Sequence, residues 1–186
     1  KGRSSINFQY KHHAGQETRI DPSVSNIVDV YLLERTYDNL FRIWLQDGGS
    51  KPSVSTPDQL RISYSGTLNP LKSLSDQIIY HPVKYKILFG SNAEEELQAT
   101  FKVVKNPKTN VSDAVIKTRV IAAINEFFAL DNWDFGDTFY FTELAAYIHN
   151  QLAPDLLTAV IVPNQSGQSF GSLFQIDSAA DEIFIS

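Results

Sequence analysis

Not one of the 186 residues is cysteine, and that absence constrains the fold more than any motif in the chain. Disulfides, thiolate zinc sites, iron–sulfur clusters and cysteine nucleophiles are all excluded. A chain of this length can bury a self-sufficient core as one large domain or two small ones, so it needs neither a disulfide nor a structural metal. With 42% hydrophobic and 20% charged residues, including 12 Phe, 8 Tyr and 2 Trp, the balance is that of a folded domain, neither disordered nor fibrous. The formal charge of −5 opposes general binding to a phosphate backbone, so nucleic acid is not an expected partner. No stretch approaches the roughly 20 apolar residues that span a bilayer, and the polar residues 1–30 lack the apolar segment of a signal peptide, so no membrane partner is expected. The chain begins at Lys1 and contains no Met; we read it as a segment of a longer protein.

Apolar periodicity divides the chain into an extended lead-in over 1–25, an α+β core domain over 26–163 and a terminal strand segment over 164–186. NIVDVYLL (26–33), interrupted by Asp29 alone, predicts a strand covered on at least one face. Tyr37, Leu40, Phe41, Trp44 and Leu45 follow as one helical stripe, with Asp38, Arg42 and Gln46 opposite and Gly48-Gly49 as the stop. Thr56-Pro57-Asp58-Gln59 has the pattern of a capping box with proline at the first helical position. Leu60, Tyr64, Leu68 and Leu71 continue that helix, while Gly66 and Pro70 predict a kink or two short helices.

Val83, Tyr85, Ile87 and Phe89 alternate with Lys84 and Lys86, and Leu97, Ala99, Phe101 and Val103 alternate with Gln98, Thr100 and Lys102, which predicts an antiparallel hairpin across GSNAEEE. Ser112 is positioned to cap a helix with the stripe Ile116, Val120, Ile124, Phe127 and Phe128. The aromatic connector DNWDFGDTFYF leads to Thr142, a second expected cap, and to the stripe Leu144, Tyr147, Ile148 and Leu152, which Pro154 ends. LLTAVIVP reads as a buried strand, and FGSLFQI (170–176) and EIFIS (182–186) as two more. The order predicts an α+β fold, a mixed sheet with helices packed mainly on one face, of the split β-α-β type.

The titratable residues favour no particular chemistry. His12 and His13 are adjacent and cannot face one way in a regular element, and His81 and His149 lie far off, so no metal site is expected. Asp131, Asp134 and Asp137 loosely resemble a calcium loop, but Trp133 and Phe135 intervene and Thr142 stands where the closing glutamate belongs. Glu94, Glu95 and Glu96 read as a solvated tip. No GxSxG, Walker, GxGxxG or HExxH string occurs, so neither an enzyme nor a cofactor is expected. Asn110-Val111-Ser112 and Asn164-Gln165-Ser166 match the glycosylation triplet, a pattern chance also produces. Trp44 fits a core position, whereas Trp133, beside Gly136 in a non-helical connector, fits core and interface equally.

The strings RIDPSVSNIVDVYLLERTYDNLFRIWL (19–45), HPVKYKILFG (81–90), NWDFGDTFYFTELAAYIHNQL (132–152) and FGSLFQI (170–176) carry a family likeness. The chain resembles the carboxy-terminal region of the baseplate wedge subunit of T4-like contractile-tailed bacteriophages, a family related to the baseplate J-like proteins. The resemblance covers most of the chain in the same segment order and rests on packing motifs. It implies a structural, non-enzymatic protein of the virion, made in the bacterial cytoplasm. Such a subunit associates with itself, here expected as a homodimer, and with other wedge proteins in a ring whose rearrangement accompanies sheath contraction. The connector and the terminal strands combine large apolar groups with turn residues, so Trp133, Phe135, Phe139, Tyr140, Phe170 and Phe174 are the candidate interface residues. The alternative is a tail-associated carbohydrate- or host-surface-binding module in which Trp133 and Tyr140 stack on sugar faces. A third class, a tail hydrolase using carboxylates of 131–137 or Glu94 to Glu96, predicts a concave acidic pocket.

Overall fold

The β-branched run forms β1 (Ile27–Leu32), which pairs in parallel with β2 (Gln77–Pro82), Val28 opposite Ile78 and Leu32 opposite Pro82. The structure, a computed structural model, describes residues 27–71, 77–164 and 175–186; the lead-in over 1–25, Phe170 and Phe174 lie outside the described residues. Asp29, the one polar interruption of β1, meets His81 of β2 at 2.9 Å, and Tyr31 stacks on the same imidazole.

Two helices connect these strands. In α1 (Arg35–Asp47) the buried face is narrower than the sequence stripe: Tyr37 and Phe41 are buried, Trp44 and Leu45 half-buried, and Leu40 exposed. Asp38 and Arg42, expected on the solvent side, reach across to Tyr85, whose hydroxyl donates to Asp38 Oδ1 at 2.5 Å while Arg42 Nε donates to the same oxygen at 2.6 Å. Burial, and then this carboxylate, hold the Tyr85 phenol above its ordinary pKa. The capping box that starts α2 (Pro57–Leu68) is complete, with Gln59 N–H donating to Thr56 Oγ1 at 3.3 Å and Thr56 N–H to Gln59 Oε1 at 2.8 Å. The helix passes Gly66 unbroken and tightens into a 3-10 turn at Asn69–Leu71, so the expected kink takes the form of a change of helix type at Pro70. Leu60 and Leu68 of α2 close on Tyr80 of β2 as a small separate core.

The predicted hairpin does not form. β3 (Lys84–Ile87) pairs in parallel with β8 (Glu182–Ile185), and β4 (Ala99–Lys105) pairs antiparallel with β6 (Leu156–Pro163). All that joins the two predicted hairpin arms as a ladder is one parallel bridge between Phe89 and Gln98. The cause is the connection: Phe89 has φ 74°, and a 3-10 turn at Glu95–Leu97 brings the chain back in the same direction with Ala93 and Leu97 buried. β5 (Thr138–Tyr140) pairs antiparallel with β7 (Gln175–Asp177), so the described strands make four two-stranded ladders in place of one mixed sheet. The α+β class stands. β7 and β8 belong to the core and are no appendage, with Ile183, Phe184 and Ile185 all buried.

Ser112 caps α3 (Asp113–Phe127) by accepting the Val115 N–H at 3.4 Å. Thr142 does not cap α4 (Phe141–Leu152): the chain leaves β5 directly into the helix, and Phe141 opens it with its ring buried. β6, expected to be buried, has one face on α4 and the core and leaves Leu157 and Val160 about half exposed, at 53% and 50%. Among the described residues no helix is long and apolar enough to cross a membrane.

Phe139 is completely buried, with the rings of Phe89, Phe128 and Phe141 at 5.6, 5.5 and 5.0 Å and those of Phe127, Trp133 and Phe184 at 6.2, 6.1 and 6.3 Å. Phe139→Ala is expected to lower stability in urea unfolding by about 3–5 kcal/mol. Leu157→Ala, on the uncovered side of β6, should change it by less than about 0.5 kcal/mol.

Candidate functional site

The end of α3, the connector over 130–137, β5 and the first turns of α4 border an open groove of about 510 Å³. Its aromatic walls are Phe127, Trp133, Tyr140 and Tyr147, and its polar lining is Asn132, Asp137, Thr138 and Glu143. Trp133 is held from two sides. Its ring stacks on Phe128 at 5.6 Å and meets the edge of Phe184 at 5.1 Å, and its indole N–H donates to the Phe127 carbonyl at 2.9 Å. Such fixation leaves little rotamer freedom to lose on binding.

The connector is braced from behind. Asp137 Oδ2 accepts the Asp134 N–H at 2.7 Å, and the Asp137 carbonyl accepts the Ser178 hydroxyl at 2.7 Å. Gly136, at φ 76°, donates its N–H to the Glu182 carbonyl at 3.2 Å, and a Cβ there would stand 3.4 Å from the Ala180 backbone. Left-handed geometry and close approach both require glycine at this turn. Asp134 and Asp137 therefore organise a turn, and among the described residues no three His, Asp or Glu side chains converge as they would around a metal ion. Glu94, Glu95 and Glu96 are exposed and take no part in the groove.

Thr138 Oγ1 donates to Asp177 Oδ1 at 2.7 Å, tying the groove to β7. Partial burial and the neighbouring Glu126 carboxylate hold the Tyr147 phenol above its ordinary pKa. The structure thus treats the sequence candidates differently. Trp133 and Phe135 are half-buried, Tyr140 is 40% exposed, and Phe139 has no exposed surface. Phe139 is a core residue, a correction that follows from strand alternation: with Tyr140 facing out, its neighbour faces in. Missed from the sequence were Glu143 and Tyr147, whose spacing of four on α4 places them on one face with Phe127 opposite.

Compared with protein-family models and with curated proteins, the sequence finds no match. What defines the site is its geometry: a rigid aromatic platform with carboxylates at its rim, suited to non-covalent contact.

Glu182 fixes the turn behind this platform. Burial pushes its carboxyl upward, but the Ala179 N–H at 3.0 Å and the ammonium groups of Lys86 at 3.6 Å and Lys84 at 3.4 Å outweigh it and hold the pKa below the usual 4.5. A depressed folded-state pKa contributes stability that is complete above the ordinary value and lost as pH falls through the folded one. Glu182→Gln should therefore destabilise the chain at neutral pH, and its stability should converge on that of the wild type as the medium is acidified below about 4.5, followed by thermal melts across a pH series.

Proposed function

We propose that this chain is a structural segment of a contractile-tail baseplate wedge, located in the virion, that associates with itself and with neighbouring baseplate proteins and catalyses no reaction. The observation that carries the reading is the presentation of Trp133 and Tyr140. A tryptophan pinned to the core by ring contacts and a backbone hydrogen bond, beside an exposed tyrosine, is the preorganised aromatic anchor that protein interfaces use. The family resemblance of the strings over 19–45, 81–90, 132–152 and 170–176 supplies the setting. The uncovered apolar side chains of Val104, Leu157 and Val160 on the β4–β6 ladder add a second surface that a monomer gains nothing by exposing.

A carbohydrate-binding reading draws on the same groove, where Trp133 and Tyr140 offer ring faces and Asn132, Asp137 and Glu143 offer polar groups for sugar hydroxyls. Binding on a glycan array favours that alternative.

Light scattering behind size exclusion, over a concentration series, tests the assembly reading. The mass is expected to rise with concentration, and Tyr140→Ala should weaken self-association about tenfold while the melting temperature stays unchanged. A mass that stays monomeric at every concentration, together with no capture of neighbouring wedge proteins, overturns it.

A further inference from the structure

Arg119 is the last of the 16 Lys and Arg in the chain, and the stretch 120–186 carries nine Asp and Glu with no basic residue besides His149. The fold turns this asymmetry along the sequence into one in space. α3 starts among bases: Lys117 and Arg119 lie in its first half, with Lys105 and Lys108 beside its start. Lys105 and Arg119 tie this region together through Asp113 and Asp155, each at 3.0 Å. Lys108 and Lys117 are exposed and form no ion pair among the described residues.

The same helix ends at the groove. There Asp137 and Glu143 line the groove, and Glu126, Asp131 and Asp134 are each next in sequence to a lining residue, Phe127, Asn132 and Trp133. Lys86 is already engaged by the Asp177 carbonyl at 2.8 Å and by Glu182. Within α3, Lys117 precedes the groove residue Phe127 by ten positions, about 15 Å along the helix axis, which exceeds the Debye length of about 8 Å at physiological salt. The basic end of a molecule cannot neutralise its own acidic groove.

We propose that the groove receives the basic end of a second copy, with Lys108 and Lys117 of one molecule seated among Trp133, Tyr140 and Glu143 of the next. The proposal rests on the self-association argued above and specifies its geometry. Carboxylates at the rim supply Coulomb attraction, and the indole and phenol faces suit an ammonium group on an apolar stem. A two-fold contact through the groove would set acid against acid. The opposite ends of one body instead make a head-to-tail contact, which closes as a ring or continues as a filament according to the rotation between copies.

The test is sedimentation of the full chain at low and high salt with the surface variants Glu143→Lys and Lys108→Glu/Lys117→Glu. The wild type is expected to associate roughly tenfold more weakly at high salt. Each variant alone should stay monomeric, and an equimolar mixture of the two should associate again, because one supplies an intact basic end and the other an intact groove. If Glu143→Lys instead associates as well as or better than the wild type, the head-to-tail contact is wrong while self-association through another face stands. If the wild type is monomeric under every condition, self-association and this contact fall together.

Discussion

The packing of rings around Phe139 is the constraint from which the rest of the structure follows. The rings come from α3, from both sides of the β5–α4 junction, from β8 and from the link between β3 and β4. Two-stranded ladders are marginal in isolation, and the described strands form nothing larger. What makes them stable together is a shared apolar interior in which edge-to-face contacts fix orientation as well as burial. Phe89 shows how strongly this interior dictates local backbone. A bulky residue at positive φ costs about 1–2 kcal/mol, yet the chain accepts it because the turn delivers that ring to Phe101, Phe128, Phe139 and Phe141.

The groove inherits its rigidity from this cluster. Trp133 is at once a wall of the groove and a member of the ring network, so the core's order is transmitted to the surface through one side chain. Behind it, Gly136 and Asp137 are tied to the turn between β7 and β8 by backbone and side-chain hydrogen bonds. A binding surface carried by a loop is usually the softest part of a fold. Here the loop is fastened on both sides, which gives its aromatic groups a fixed geometry.

Helices were legible in the sequence because their signals are local. The capping residues Thr56 and Ser112 and the stripes led by Tyr37 and Ile116 each lie within a few residues of the structure they determine. Strands were located more easily than paired: alternation marks a strand such as β3 without naming its partner, and β8 is remote in sequence. The Ile78-Ile79-Tyr80 run of β2 passed unread because Pro82 and the stronger alternation after Val83 dominate that region. In the candidate site, the aromatic connector singled out Trp133 and Tyr140, and both line the groove. Separating Tyr140 from Phe139 required knowing that the connector ends in a strand, where neighbours face opposite ways.

The parallel pairing of β3 with β8 also bears on how the chain is made. Ile183, Phe184 and Ile185 complete an interior whose helical members are synthesised long before them. A nascent chain that has delivered α1, α3 and α4 still lacks the strand that seals the core. Its aromatic cluster stays open to solvent until translation has passed β8, so closure of this part of the fold is a late, non-local event rather than one that proceeds in step with the ribosome.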